Sequence, residues 1–264
     1  MMQLLALLLS AAPAWPADLT TGWTAVSVTR VTPGQPRLTV KLEPLRDGTW
    51  KVLAPWRGEG DLLAVGRLKL ALEAPQLVTA ALEPSPASLE IVLQQGKRVR
   101  RVTTHVAALN APIRVTVDGK SFAVSPVELG IKLPAPEDFA PAGLWLAARD
   151  EVSSIEVKGP QRYKLTGKGK AWKVADGRAP TRDLASVIGV VVGRQAIDHP
   201  SGSDLAALGL APPQATATLC TPRECRDFKF GSANGRYYAL APDADPIELR
   251  DTDWKQLVVG PFSP

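Results

Sequence analysis

The chain has 264 residues, of which 45% are hydrophobic and 22% charged, a composition that fits a globular protein with one large or two ordinary domains. Its 31 lysines and arginines outnumber its 26 acidic residues, which gives a formal net charge of +5. This mild surplus is spread along the chain, so it argues against nucleic-acid binding but is compatible with an anionic lipid or glycan partner.

The N-terminal segment has the pattern of an export signal. Leu4 to Ala12 is a short apolar run, although no Lys or Arg precedes it. Ala12-Pro13-Ala14 fits the small-x-small cleavage pattern, and Ala17 is a second candidate end. The run is shorter than the roughly 20 apolar residues of a membrane span. We predict a signal peptide over 1–17, no transmembrane span and a periplasmic or secreted protein; the alternative is the frayed N-terminus of a cytosolic protein.

The sequence after this segment predicts a β-rich module with one main helix. Apolar alternation predicts three strands, over 26–31, 38–42 and 50–53. A helical stripe over 61–73 follows, formed by Leu62, Val65, Leu68 and Leu72. Two hairpins come next, turning at Gln95-Gly96-Lys97 and at Asp118-Gly119, and the second of these turns is typical of tight hairpins. Ser125-Pro126 then begins a short helix that extends to about Lys132.

The second half of the chain repeats this order of elements. Trp50-Lys51-Val52 recurs as Trp172-Lys173-Val174. The flanking elements recur with it, as strands over 154–158 and 163–165, a helix over 181–194, a hairpin around the two cysteines, a last hairpin over 236–249 and a short helix over 251–258. Repetition over so many elements predicts two tandem copies of one α+β module. Each copy has a mainly antiparallel sheet, one main helix and a short terminal helix. The predicted domains cover 18–133 and 151–264, joined by a linker over 134–150.

The only two cysteines, Cys220 and Cys225, flank a turn-rich segment between two strand-like runs. This layout predicts a cross-strand disulfide in a hairpin, which agrees with export. Two free thiols or a metal site are the alternatives, and a metal site would need two further ligands.

The densest basic cluster is formed by Lys97, Arg98, Arg100 and Arg101. On a strand, Arg98 and Arg100 would face one way and Arg101 the other. One interpretation is a solvated hairpin tip protected from edge-to-edge pairing. The functional interpretation is a binding surface for anionic lipid, glycan or an acidic partner. The tryptophans could likewise be glycan platforms, but the equivalent positions of Trp50 and Trp172 favour a shared core role.

Residues that could perform catalysis are few. His105 and His199 are the only histidines, and Ser201-Gly202-Ser203 lies near His199 without the strand-to-helix context of a serine nucleophile. The aspartates at 243, 245, 251 and 253 lack the spacing of a calcium loop. We therefore predict no catalytic, cofactor-binding or metal-binding residues. A hydrolase with either histidine in a concave site is the remaining enzymatic alternative.

An ordered set of motifs in the second copy resembles the bacterial family named domain of unknown function 4340. The set comprises the tryptophan strand at 170–174, the stretch Asp204–Pro213, and Gly231 followed by the tyrosine strand at 236–240. Leu208 and Ala211 stand where that family often has Tyr and Asp. The first copy is similar to it more faintly, at 47–52 and 122–126.

The resemblance implies an envelope protein without known catalysis. Members often carry an N-terminal membrane anchor, and some accompany ABC-type transport systems related to gliding motility. The sequence thus predicts a non-enzymatic scaffold or partner-binding protein of the bacterial envelope. The alternative is a binding module for cell-wall glycan or anionic lipid.

Overall fold

A computed structural model describes residues 14–81, 84–107, 110–127, 129, 133–145, 151–168, 171–193, 196–200 and 204–262. Most of the predicted signal peptide lies outside the described residues, as do residues 128 and 130–132 of the predicted short helix and residues 146–150 of the linker. Within the described ranges, no helix is both long enough and apolar enough to cross a membrane.

The first sheet is antiparallel and has eight strands. They are β1 (Ala25–Arg30), β2 (Leu38–Pro44), β3 (Trp50–Ala54), β4 (Gly58–Glu59), β5 (Ala87–Gln95), β6 (Arg98–His105), β7 (Ile113–Val117) and β8 (Lys120–Val124). Their order across the sheet is β4-β3-β2-β1-β5-β6-β7-β8. The very short edge strand β4 is the one strand of this sheet that the sequence pattern does not predict.

The second sheet is also antiparallel and has seven strands. They are β9 (Ser154–Lys158), β10 (Arg162–Thr166), β11 (Lys173–Val174), β12 (Ala215–Cys220), β13 (Cys225–Ala233), β14 (Arg236–Leu240) and β15 (Ile247–Leu249). Their order is β11-β10-β9-β12-β13-β14-β15. Without β4, the first sheet has the same order of equivalent strands, so the predicted α+β fold with two similar modules is confirmed.

The strands follow from residue alternation. In β7, Ile113, Val115 and Val117 are buried, while Arg114 and Thr116 between them are partly exposed. Successive side chains of a strand point to opposite faces of the sheet, so this pattern places one face against a core. The turn Asp118-Gly119 has positive φ at both residues, 47° and 84°, as a two-residue hairpin requires.

Helix α1 spans Leu62–Glu73, and helix α2 spans Leu184–Val192. In α1, Val65, Leu68 and Leu72 are buried as predicted, but Leu62 is 41% exposed because it stands at the first turn, beside the stripe. Asp183 caps α2 by accepting a hydrogen bond from the amide of Ala185. The predicted terminal helix is α3 (Asp251–Trp254), continued by a π-helical turn over Lys255–Val259.

The chain divides into two compact units. The first comprises residues 1–38 and 66–134, and the second comprises residues 39–65 and 135–264. The segment 39–65, part of the predicted first repeat domain, thus belongs to the same unit as residues 135–264. The second unit holds a core built from β9–β15, α2 and the C-terminal helical turns, which also contains Leu144 and Trp145 of the predicted linker.

The two repeated tryptophans differ in burial. Trp50, in β3, is 5% exposed, which confirms its predicted core role. Trp172 is only partly buried against the core of the second unit. The prediction of equal burial is wrong because β11 has only two residues and begins after Trp172, at the edge of the sheet.

Candidate functional site

The predicted disulfide between Cys220 and Cys225 is present. The two residues are direct partners in the β12–β13 ladder, and their sulfur atoms are 2.01 Å apart. The turn between them is held by Thr221, whose hydroxyl oxygen accepts hydrogen bonds from the amides of Arg223 and Glu224. The alternatives of two free thiols and of a metal site are therefore wrong.

The predicted basic hairpin is largely neutralised by nearby carboxylates. Arg98 and Arg100 share a face of β6, as alternation predicts, and both donate to Asp18, at 2.6 and 2.8 Å. The side chain of Arg100 is only 4% exposed and also donates to Asp118. The hydrogen bond from Arg100 lowers the pKa of Asp18 below its usual value, because it favours the ionised carboxylate.

The other two cations of the hairpin are exposed. Arg101 lies 3.7 Å from Glu90, a long and solvated pair, and Lys97 stands at the tip. Arg100 is committed to internal contacts and cannot reach a ligand without breaking them. The predicted binding surface therefore reduces to Lys97, Arg98 and Arg101, and their binding role stays a prediction.

The two histidines contact backbone carbonyl oxygens and the side chains of Trp56 and Arg114. The Nε2 atom of His199 lies 2.6 Å from the carbonyl oxygen of Pro141, and its ring packs on Trp56 at 5.4 Å between centroids. The Nδ1 atom of His105 lies 3.0 Å from the carbonyl oxygen of Ser85 and 3.0 Å from an Arg114 nitrogen. Over the described residues, neither imidazole hydrogen-bonds a serine hydroxyl. The absence of catalysis stays a prediction.

A cleft of about 800 Å³ lies in the second compact unit. Its lining residues come from the β2–β3 hairpin, β4, residues 144–145, β13 and the turn after β14. Five carboxylates and three cations line it, namely Asp47, Glu59, Glu224, Asp227, Asp243, Lys51, Arg226 and Lys229. An open space lined by many charges differs from the apolar pocket that usually holds a small molecule.

The lining of the cleft includes a buried tryptophan that contacts the core. Trp145 is 3% exposed and contacts Phe228 of the core at 6.0 Å between ring centroids. The guanidinium of Arg226 lies over the Trp145 ring at 4.6 Å and donates to Glu224 at 2.7 Å. Arg226 is thus held on both sides, by a cation–π contact and by an ion pair.

Most acidic groups of the cleft are also engaged. The carboxylate of Asp47 accepts from the amide and the hydroxyl of Thr49, at 3.0 and 2.6 Å, and these bonds lower the pKa of Asp47. Asp227 accepts from the hydroxyl of Thr218 at 2.5 Å. By contrast, Lys51 and Lys229 form no ion pair with any described residue, and neither does Asp243. The hydroxyls of Thr49 and Thr218 are neutral, so Asp47 and Asp227 keep their negative charge. With five carboxylates against three cations, the lining carries a surplus of negative charge.

The loop before β4 is hydrogen-bonded to Asp245, next to the residues that line the cleft. Arg57 donates through its backbone amide and its side chain to Asp245, at 2.8 to 3.1 Å, and its carbonyl accepts from the Asp245 amide. Gly58, with φ of 155°, lies so close to Pro141 that a Cβ atom would approach its ring to 2.9 Å. Sequence reasoning missed this cleft because its charges come from segments far apart in the chain.

No protein family, curated protein or solved structure matches the chain in the comparisons that we made.

Proposed function

We propose that the chain is an exported, non-enzymatic scaffold or partner-binding protein of the bacterial envelope, which binds a basic segment of a protein partner in the cleft of its second unit. The observation that carries this proposal is the surplus of carboxylates in the lining of the cleft, five against three cations. Lysines or arginines of a partner would supply the missing counter-charges and fix its orientation.

The cleft has the form of a docking surface for a polypeptide. It is open, it is mixed in charge, and Arg226 in its lining lies over the ring of the buried Trp145. A surface whose side chains are already held by internal contacts loses little conformational freedom on binding, which favours affinity. The exposed Leu45, which is 45% accessible and also lines the cleft, offers an apolar contact beside the charged groups.

Two observations support an extracytoplasmic location. The Cys220–Cys225 disulfide is of a kind that persists in oxidising compartments such as the periplasm. The apolar run at Leu4 to Ala12 followed by small residues has the pattern of a secretory leader.

The alternative of a glycan or anionic-lipid module receives less support. It relied on the basic hairpin, where Asp18, Glu90 and Asp118 now lie against three of the four cations. An anionic surface would have to compete with these internal carboxylates, and such a surface interaction is screened by salt.

Binding of a short synthetic peptide rich in Lys tests the cleft directly. We expect the Asp227→Asn/Asp243→Asn variant to weaken its affinity by about tenfold, since each lost charge pair changes the binding free energy by up to about 1 kcal/mol. Glu151→Gln is the matched control, because Glu151 is exposed in the same unit but does not line the cleft. Equal binding of a Glu-rich peptide, or no effect of the double neutralisation, would contradict the proposal.

The partner is identified in the native envelope by a photo-crosslinking residue placed at Leu45. A specific adduct should form with the wild-type chain and the Glu151→Gln control, and should be lost with the Asp227→Asn/Asp243→Asn variant. Non-enzymatic action predicts that His105→Gln/His199→Gln keeps full activity in the cell. Loss of that activity in a folded variant would instead favour the hydrolase alternative.

A further inference from the structure

Trp15 makes two contacts with the first unit. The indole Nε1 atom of Trp15 donates to the carbonyl oxygen of Leu72 at 2.8 Å, near the end of α1. The Trp15 ring meets the buried ring of Phe122 edge-on, with 5.1 Å between centroids. Trp15 is thus joined to two elements that are distant from it in sequence.

The residues that follow continue this attachment. Asp18 binds Arg98 and Arg100, and its carbonyl oxygen accepts from the side-chain amide of Gln95 at 2.7 Å. Leu19 is fully buried, and its carbonyl oxygen accepts from the ring of Trp23 at 2.6 Å. The segment from Trp15 onward is therefore part of the folded unit.

From these contacts we infer that a signal peptidase of small-residue specificity cleaves the bond between Ala14 and Trp15, and that the mature chain begins at Trp15. The inference rests on the export part of the proposed function. Cleavage after Ala17, the other candidate, would remove Trp15 and both of its contacts.

The residues before each candidate bond also favour cleavage after Ala14. Cleavage after Ala14 places Ala12 and Ala14 at the two positions where the enzyme needs small side chains. Cleavage after Ala17 would place the large Trp15 at one of those positions. In the proposed step, water adds to the carbonyl carbon of Ala14 and the carbon–nitrogen bond to Trp15 breaks, which leaves a carboxylate on Ala14 and a free amino group on Trp15.

The experiment is the intact mass and N-terminal sequence of the full chain, expressed with its own N-terminus and purified from the periplasmic fraction. We expect Trp15 as the first residue. A chain that is exported but begins at Asp18 would overturn the inference and leave the proposed export intact. A chain that retains residues 1–14 in the cytoplasm would overturn the export part of the proposed function as well.

Two leader variants test the site independently of the mature N-terminus. Ala14→Leu should block or strongly slow processing, because it places a large side chain next to the cleaved bond. Ala17→Leu should leave processing unchanged, and the reverse pattern would contradict the inference. As a check on the fold, Trp15→Ala should still be processed but should unfold at a temperature lower by about 3–8 °C. An unchanged unfolding temperature would remove the structural argument for retaining Trp15.

Discussion

The side chain of Arg100 lies almost wholly out of solvent, between the carboxylates of Asp18 and Asp118. Its neighbour Arg101 is on the opposite face of β6 and mostly exposed. Alternation along the strand predicts this separation of the two arginines, but not which face is covered. The covering residue, Asp18, comes from a segment distant in sequence, so only the fold shows that Arg100 has a structural role.

Replacement of Arg100 should therefore cost stability, whereas replacement of Arg101 should not. We expect Arg100→Ala to lower the free energy of unfolding by about 1.5–3 kcal/mol, because it removes charge-assisted hydrogen bonds at a buried position. Arg101→Ala should change it by less than about 0.5 kcal/mol, since its pair is long and exposed. Urea denaturation of both variants measures the difference, and equal effects would refute the assigned roles.

The ion pair of Asp18 should make part of the stability depend on pH. Hydrogen bonding from Arg100 lowers the pKa of Asp18 in the folded chain below 3.8. The stabilisation by ionised Asp18 is then fully present above its unfolded pKa and is lost as the pH falls through the lower folded pKa. We expect Asp18→Asn to unfold at a lower temperature than wild type above about pH 5. The two melting temperatures should converge in stronger acid, and a constant difference down to low pH would contradict this linkage.

Trp50 and Trp172 occupy equivalent sequence positions but should differ in how much each contributes to the free energy of unfolding. We expect Trp50→Ala to cost about 3–5 kcal/mol of stability and Trp172→Ala about half of that or less, because Trp172 is only partly buried. Acrylamide quenching in single-tryptophan variants provides a second measurement. Trp172 should be quenched more strongly than Trp50, and equal quenching would contradict the difference in burial.

At the scale of elements, replacement of two glycines by alanine should have opposite effects on stability. Gly58 in β4 has a positive φ and no space for a side chain beside Pro141, whereas Gly66 lies within α1 with open space at its Cβ position. Gly58→Ala should destabilise the protein by roughly 1–3 kcal/mol because of the strained backbone and the clash. Gly66→Ala should stabilise it by about 0.5–1 kcal/mol, because alanine favours helix more than glycine does. Thermal unfolding of the two variants should show shifts of opposite sign.

The elements themselves were largely predictable from sequence. Strands such as β7 and β14 have the bounds that alternation indicates, and the cysteine spacing predicts the β12–β13 hairpin with its disulfide. Such features depend on neighbours within a few residues. The edge strand β4 was missed because two residues carry no periodicity, and the π-helical turn over Lys255–Val259 continues α3 without a signal of its own.

At the scale of the whole molecule, the second compact unit draws on two separate stretches of chain. Residues 39–65 contribute Arg57, whose carbonyl oxygen accepts the amide of Asp245 at 2.8 Å. Local patterns cannot predict such a contact, and the charged cleft was missed for the same reason.

A fragment of residues 135–264 should therefore lack the contacts that residues 39–65 make within the second unit. We expect the Asp245 amide to exchange its hydrogen much faster in the fragment than in the full chain, because its acceptor on Arg57 is missing. The amide of Gln214, which donates to Phe230 at 2.9 Å inside the fragment, is the internal control and should stay protected. Equal protection of Asp245 in both proteins would show that the stretch 39–65 is dispensable for this unit.

The position of the opening strand within each sheet has a consequence for the timing of folding. β1 pairs with β5, so that Ala25 lies opposite Gln94, and β9 pairs with β12, so that Ser154 lies opposite Cys220. In both cases a long stretch of chain must be synthesised before the central ladder can close. Pairings of such large sequence separation form slowly. A nascent chain of this topology therefore completes its central ladders later than one made of local hairpins.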